Sequence, residues 1–297
     1  MSNRTNNQTL KGYCAPHSTT EAGVKTRPNT CYSTGQLITI IKKYNQGKSY
    51  AEQITPPHNA SPEKLWQLID QKMGNVCNTE WCWLNQTGLS ELEDQIFLPP
   101  APKGGPKAWL STLDIERVLK QYMRIHKNFL GLGPVAIDFC SDVGNAVCNM
   151  DIKKIRDMGK TKIGIVFNTD PISKPGQHWI CMYIDISPRN PNQWSINYFD
   201  SYGMAPLPNA IRSLVEKLQA QNKKYNKAEF KLEMNCKDIS GICTRSVRQQ
   251  KHNTECGMYC INFIVERLTG KSWDHMVSNI QTDEKIFQKR PMFFRPL

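Results

Sequence analysis

Hydrophobic positions in the first third of the chain follow the three- and four-residue spacing of amphipathic helices. The first helix is predicted to begin near Ser33 or Thr34, either of which can cap it, and its apolar residues are Leu37, Ile38, Ile41 and Tyr44. A second helix is predicted to begin at Ser61 and Pro62, because serine caps helices and proline is favoured in the first helical turn.

The segment 99–107 interrupts this pattern with four prolines and two glycines, which stop both helices and strands. We place the main boundary in this linker. Residues 1–28, rich in Asn, Thr, Ser and Gly, are expected to be a flexible N-terminus. Residues 29–105 are predicted to be a helical N-terminal region, and residues 106–297 to be the core.

Beyond the linker, short apolar strands are mixed with amphipathic helices, and no internal repeat is present. Mixed strands flanked by helices predict an α+β fold with a central mixed β-sheet and a helical N-terminal arm region. The predicted strands are 162–168, 179–186, 194–199 and 230–234, and the predicted helices lie around Leu113, Ile152, Ile211 and Cys256, with two short helices at the C-terminal end.

The strongest chemical signal is Asn253-Thr254-Glu255-Cys256-Gly257, which is followed by an apolar run. This pattern is typical of a cysteine in the first turn of a buried helix. Backbone N–H groups at a helix N-terminus stabilise negative charge, and the thiolate is the nucleophilic form of cysteine. Cys256 is therefore a candidate nucleophile.

A nucleophilic cysteine needs a base and a group that orients the base. His178 stands before one predicted strand, and Asp200 ends the next. If these strands pair as a hairpin, imidazole and carboxylate come within hydrogen-bond reach. Gln250, six residues before Cys256, offers a side-chain N–H that could form an oxyanion hole with the Cys256 backbone N–H.

Taken singly, each of these residues has an ordinary structural interpretation. Cys256 could be a small buried apolar side chain, and Asp200 could be a turn residue. Two other histidines compete for the role of base. His252 has no strand-held orienting group nearby, and His275 follows the cysteine too closely for a papain-like arrangement.

The order His178-Trp179, then Phe-Asp200-Ser, then Gln250 and Cys256-Gly resembles the SUMO-protease/adenovirus-protease superfamily of cysteine peptidases. Within it, the sequence resembles the polyprotein-processing proteases of large nucleocytoplasmic DNA viruses, of the African swine fever virus and giant-virus type. The resemblance is specific over residues 160–297, fair over 75–160 and weak before that.

The resemblance implies a catalytic core in which His178 is the base, Asp200 orients it, Cys256 attacks and Gln250 helps to bind the oxyanion. It also implies that Trp179 walls a narrow substrate tunnel that admits only residues without side chains, so that cleavage follows Gly-Gly-type motifs. We therefore expect a thiol endopeptidase that processes viral structural polyproteins during virion maturation, at the assembly site in the host cytoplasm and in the virion. Two alternatives stay open: a ubiquitin- or SUMO-deconjugating protease, and a non-enzymatic nucleic-acid-binding virion protein.

The formal net charge of +12 indicates an acidic partner. The adenovirus relative uses DNA as a cofactor, so the resemblance makes DNA a candidate activator here, although the chemistry itself requires no cofactor. The same basic side chains could instead steer an acidic substrate. The candidates are Lys153, Lys154, Lys223, Lys224, Arg245, Arg248 and Lys251.

Eleven cysteines form an odd number without the regular spacing of a secreted disulfide scaffold. We therefore expect reduced thiols in a cytosol-like compartment. Cys77 and Cys82 have a spacing that could hold zinc, but no second pair stands at a matching distance, so no metal is expected. No secretory signal and no apolar run of about 18 residues is present, so no membrane association is expected.

Overall fold

The computed structural model describes residues 13–16, 30–238 and 241–296. Most of the segment predicted to be flexible, namely residues 1–12 and 17–28, therefore lies outside the described residues. The chain divides into two compact units after Pro100, and the segment that begins at Pro291 belongs to the first of them. The second unit extends from Ala101 to Arg290.

The first unit is helical, and its two predicted helices form where the caps indicate. Ser33 and Gln36 form a reciprocal capping box at the first helix, and Ser61 caps the second helix with Pro62 in its first turn. Buried residues at helical spacing, such as Leu37 and Ile41, form the core of this unit. The helices are α1 (Thr34–Asn45), α2 (Pro62–Met73), α3 (Glu80–Gln86) and α4 (Glu93–Ile96).

Several aromatic side chains pack together in the core of the first unit. Tyr32 stacks on Trp83 and meets Phe97 edge to face. The C-terminal segment packs in the same unit, where the Arg295 guanidinium lies over the Trp81 ring and pairs with Glu93. The division drawn from the sequence did not foresee this return of the C-terminal segment.

A five-stranded mixed sheet forms the centre of the second unit, with the strands in chain order. The first and second strands are parallel, the next two pairings are antiparallel, and the fourth and fifth strands are parallel. The predicted α+β class with a central mixed sheet is therefore confirmed. The strands are β1 (Phe129–Ala136), β2 (Lys162–Asn168), β3 (Trp179–Asp185), β4 (Ser195–Phe199) and β5 (Lys231–Asn235).

Helices cover both faces of this sheet. Alternate strand residues such as Ile165 and Met182 share one core with α6 and α7, whereas the apolar α8 packs on β2 and β3 from the other face. Gly164 allows that approach, because a Cβ there would lie 2.9 Å from Cγ2 of Ile264. The helices are α5 (Thr112–Ile125), α6 (Ile152–Asp157), α7 (Asn209–Asn226), α8 (Cys256–Leu268), α9 (Trp273–Ser278) and α10 (Asp283–Gln288). In the part of the chain that the structure describes, no helix has the length and apolar character needed to cross a membrane.

Strand β1 was not predicted, because its sequence contains two glycines and a proline. Its pairing register with β2 shifts between Leu132 and Val135, where Gly133 has a φ of +91°. Proline and glycine in a strand interior argue against a strand locally. The parallel partner β2 and helix α5 cover this strand, and their packing overrides the local preference.

The expectation of reduced thiols is wrong for eight cysteines. Their Cα atoms lie 5.0 to 5.5 Å apart in pairs, which is the spacing that a disulfide requires. Three of the pairs close loops of only five to eight residues, which a search for a regular scaffold does not detect. Cys77 and Cys82, considered for zinc, bond to each other. The pairs are Cys14–Cys31, Cys77–Cys82, Cys140–Cys148 and Cys236–Cys243.

Candidate active site

The hairpin formed by β3 and β4 brings His178 and Asp200 together. Cys181 lies opposite Phe199, so His178 and Asp200 are diagonal neighbours on the same face of the hairpin. Nε2 of His178 lies 2.7 Å from Oδ1 of Asp200, and the same carboxylate oxygen accepts the backbone N–H of Tyr202 at 2.9 Å. Asp200 is 2% exposed, so water does not compete for this carboxylate.

Cys256 begins α8, as its sequence context predicts. No side chain caps the N-terminus of this helix, so its first N–H groups and the positive end of the helix dipole face the thiol. The Cys256 side chain also hydrogen-bonds His178. The structure therefore joins Cys256, His178 and Asp200 in one hydrogen-bonded chain, although they come from three separate elements.

The protonation of His178 reflects these neighbours. Burial opposes the charged imidazolium, but the hydrogen bonds and negative charges of Asp200 and Cys256 outweigh burial and raise the pKa of His178 to about 9. The imidazolium form is thus favoured at neutral pH, which suits a thiolate–imidazolium pair.

Gln250 is fully buried on the loop that precedes the nucleophile. Its Oε1 accepts the Ser201 hydroxyl at 2.6 Å, and its backbone N–H donates to the Ser201 carbonyl at 2.9 Å. Its Nε2 donates to the His252 carbonyl. A primary amide has two N–H bonds on Nε2. The contact with the His252 carbonyl uses one of them.

Trp179 is held from behind. Its indole N–H donates to the Leu110 carbonyl at 3.0 Å, and the ring is 8% exposed. The side chain of Leu110 also packs against Gly257, where an added Cβ would lie 3.0 Å from Cβ of Leu110. Leu110 therefore contacts both the tryptophan beside the histidine and the first turn of the nucleophile helix.

Several residues that support the site were missed from the sequence. Asn235 donates to the Asp200 carbonyl at 2.8 Å and exchanges two further hydrogen bonds with Val247. The Asp283 carboxylate accepts the backbone N–H groups of Lys251 and His252, both at 2.9 Å. These contacts join segments far apart in sequence, and no local motif signals them.

Another missed contact directly precedes the nucleophile. Arg290 donates from Nε and Nη2 to the two carboxylate oxygens of Glu255, each at 3.0 Å. Glu255 was visible only as part of the cysteine motif, and Arg290 follows α10, 35 residues later.

The two competing histidines lie outside the hydrogen-bonded chain. The backbone N–H of His252 binds Asp283, and its carbonyl accepts the Gln250 amide, so its main chain shapes the loop. The backbone N–H of His275 is capped by Ser272 at the start of α9.

The basic candidates have different surroundings. Arg248 lies over the Tyr202 ring and donates to the Gln250 carbonyl at 2.9 Å, whereas Arg245 donates to the Ser278 hydroxyl. Lys153 pairs with Asp157 at 2.9 Å and is 63% exposed. Lys154, Lys223, Lys224 and Lys251 are also exposed at the surface.

Two further thiols lie near the nucleophile. Cys260, one turn after Cys256, is buried and hydrogen-bonds Cys181. Burial raises the pKa of the Cys260 thiol well above its usual range. This neutral side chain packs in the core, as an uninvolved neighbour of the nucleophile would.

The chain is similar to known proteases in sequence and in fold. The profile of the Ulp1 protease family, C-terminal catalytic domain, matches residues 145–292. The chain is 30% identical to a candidate thiol protease of Acanthamoeba polyphaga mimivirus over 90% of its own length and 89% of that relative. It is 31% identical to a protein of African swine fever virus (isolate Tick/South Africa/Pretoriuskop Pr4/1996) named a SUMO-1 cysteine protease, over 87% of its own length and 99% of that relative.

The crystal structure of the African swine fever virus protease has a TM-score of 0.68 to this chain, with 22% identity over 96% of each chain, and shows that the fold is shared. The sequence relatives carry the assignment further, because they match nearly the whole chain. The resemblance predicted from the histidine, aspartate and cysteine motifs is thus confirmed, and the chain belongs to the Ulp1 protease family of cysteine proteases.

Proposed function

We propose that this cysteine protease is an endopeptidase that cleaves after Gly-Gly-type motifs and processes viral structural polyproteins during virion maturation. The observation that carries the proposal is the hydrogen-bonded chain from Asp200 through His178 to Cys256. It supplies a nucleophile, a base and an orienting acid in the arrangement that thiol catalysis requires.

In the proposed reaction His178 takes the proton of Cys256, and the thiolate attacks the carbonyl carbon of the scissile bond. Asp200 holds the ring through Nε2, which leaves Nδ1 to exchange the proton. His178 then protonates the leaving amine, and water hydrolyses the thioester. Because its pKa is about 9, His178 carries the required proton at neutral pH.

The oxyanion is proposed to bind the Cys256 backbone N–H and the second N–H of Gln250. Both donors are held before substrate arrives, the first by α8 and the second by the contacts of Gln250 with Ser201 and His252. Preorganised donors of this kind are typically worth about 3 kcal/mol of transition-state stabilisation each.

The Gly-Gly specificity rests on Trp179. Its indole N–H is bonded to the Leu110 carbonyl, which holds the ring in place beside the catalytic histidine. A substrate without side chains at the two positions before the scissile bond fits such a wall. The same requirement is met by the C-termini of ubiquitin-like proteins, and the African swine fever virus relative is named a SUMO-1 cysteine protease.

In the decisive experiment, the protein is incubated separately with Gly-Gly-x peptides and with a SUMO–fluorophore conjugate. We expect efficient cleavage of the peptides, weaker cleavage of the conjugate and no cleavage by Cys256→Ala. Turnover of the conjugate alone supports a deconjugase instead. No cleavage of either substrate by the wild type contradicts the enzymatic proposal and supports a virion protein that binds nucleic acid.

We also propose that nucleic acid can bind the exposed lysines as an accessory activator. What favours this is the packing of α6 on α7, because the helix that carries Lys153 and Lys154 contacts the helix that carries Lys223 and Lys224. Phosphate contacts make affinity fall steeply with salt. A DNA affinity that is independent of salt, or a cleavage rate that is independent of DNA, contradicts this proposal.

Action at the host cytoplasmic assembly site and in the virion follows from the maturation role and is tested by locating the protein in infected cells and particles.

A further inference from the structure

A buried ion pair lies directly beside the nucleophile and has no part in the proposed chemistry. Glu255 and Arg290 are 3% and 8% exposed at their side chains, and two parallel hydrogen bonds of 3.0 Å join the guanidinium to the carboxylate. Such bidentate pairs fix orientation as well as charge. Glu255 occupies the position before Cys256, so its placement sets where α8 begins.

The same guanidinium reaches a second segment. Nη2 of Arg290 donates to the Ala108 carbonyl at 2.8 Å. Two residues later, Leu110 accepts the Trp179 indole N–H and packs against Gly257. Arg290 therefore connects the turn before the nucleophile with the segment that braces the tryptophan beside His178.

We propose that Arg290 is a positioning residue for Cys256, acting through Glu255, and that its charge offsets the negative charge that Glu255 places beside the nucleophilic sulfur. The inference rests on the proposed function, since it assigns a role within that reaction. In this role Arg290 contacts neither the substrate nor the reacting atoms.

The charge argument follows from the surroundings of Cys256. His178 favours the thiolate, and Asp200 is engaged by His178 on the far side of the ring. The Tyr202 phenol and the Cys260 thiol are neutral at pH 7, because burial raises the pKa of each above its ordinary value. Asp283 in α10 and Arg248 over the Tyr202 ring carry further charges in this neighbourhood, and Glu255 is the negative group adjacent to Cys256 in the chain.

Arg290 supplies the balancing positive charge to that carboxylate. Removing it exposes the thiolate to a like charge, whereas removing Glu255 exposes the thiolate to an opposite charge. The two single changes damage the same contact but act on the thiolate in opposite directions. Loss of packing alone cannot produce that pattern.

The experiment measures the rate of Cys256 alkylation by iodoacetamide against pH, mapped by mass spectrometry. We expect the midpoint to rise by about one pH unit in Arg290→Gln, to fall in Glu255→Gln, and to return close to the wild-type value in the double variant. Midpoints that do not move, or that move in the same direction in both single variants, overturn the inference.

Cleavage of a Gly-Gly-x peptide provides the second readout. Arg290→Gln is expected to lower kcat about 100-fold with little change in KM, because a small misplacement of the nucleophile impairs the reaction more than it impairs binding. Lys289→Gln is the matched control. It removes an ion pair between Lys289 and Glu266, on the same two segments but about 15 Å further along α8.

Arg290→Lys covers the case in which the glutamine variant does not fold. It keeps the positive charge but not the two parallel bonds, so we expect a wild-type alkylation midpoint with a reduced kcat. Equal kcat values for wild type and Arg290→Lys contradict the positioning role. If the variants show the predicted alkylation shifts but the wild type cleaves no peptide, the proposed function is contradicted and the role of Arg290 at the sulfur stands.

Discussion

Nε2 of His178 lies 2.7 Å from Oδ1 of Asp200, although the two residues are separated by the whole β3–β4 hairpin. The register of the hairpin sets this distance, because Cys181, three residues after His178, pairs with Phe199, the residue before Asp200. A one-residue slip would turn the two side chains to opposite faces of the sheet. The buried strands prevent such a slip, so the fold itself orients the imidazole.

Asp200→Asn is expected to lower kcat/KM about 100-fold and to narrow the pH range of activity. The hydrogen bond that Asp200 accepts from the imidazolium helps to hold the pKa of His178 at about 9, and activity falls as the imidazolium loses its proton above that pH. Without the carboxylate the alkaline limb of the pH–rate profile should move to lower pH. Asp185→Asn, at the other end of β3, is the control and should keep the wild-type limb.

Asp200→Asn should also change how stability depends on pH. The pKa of His178 is raised from an unfolded value near 6.5 to about 9, so protonated His178 contributes stability below pH 6.5 and loses that contribution as the pH rises through 9. The difference in Tm between wild type and Asp200→Asn should therefore be largest near pH 6 and shrink towards pH 10. Thermal melts by circular dichroism measure it, and a constant difference contradicts the assignment.

The predicted strands β2, β3 and β4 and the helix α8 could be found from the sequence because they are buried. Their apolar runs reflect packing on both faces of the sheet, and polar catalytic residues then stand out at their ends. His178 and Asp200 were recognisable for this reason. The motif before Cys256 was recognisable because a polar turn leads directly into an apolar helix.

The supporting contacts could not be found in this way. The fold brings Arg290 to Glu255 and Asn235 to Asp200 across 35 residues of sequence in each case. Single polar residues at large sequence separation carry no periodic signal. The disulfides were not predicted for a different reason, since sequence spacing alone does not distinguish a bonded pair such as Cys236–Cys243 from two thiols that pack in the core.

Asn235→Ala tests one of these unpredicted contacts. Asn235 is fully buried, and its amide ties the Asp200 turn to the segment that leads to Gln250. Its loss leaves buried main-chain groups without partners, so we expect the free energy of unfolding to fall by about 1–3 kcal/mol. We also expect kcat to fall because Asp200 is less well held. Asn192→Ala serves as the control, because Asn192 is exposed. Urea denaturation measures the stability, and peptide cleavage kinetics measure kcat. A loss of stability without any loss of kcat would show that Asn235 does not support the site.

Gly257→Ala tests the contact between α8 and the segment behind Trp179. The new methyl group would lie 3.0 to 3.2 Å from three carbons of the Leu110 side chain, which must then shift together with the tryptophan that it braces. We expect a lower kcat/KM for Gly-Gly-x peptides and a partial relaxation of specificity at the positions before the scissile bond. Gly35→Ala in α1 is the control, because open space surrounds that position and alanine favours a helix by up to about 1 kcal/mol.

The four disulfides predict a specific labelling pattern for the eleven cysteines. After denaturation without reductant, an alkylating reagent should modify Cys181, Cys256 and Cys260, and the other eight should react only after reduction. Reduction should also lower the Tm, with the longest loop, between Cys14 and Cys31, contributing most, at about 3 kcal/mol in the chain-entropy account. Peptide mapping by mass spectrometry locates the modified thiols. Full labelling before reduction would contradict the paired cysteines and support reduced thiols instead. As a control, Cys181→Ser should lower the number of labelled thiols by one under either outcome.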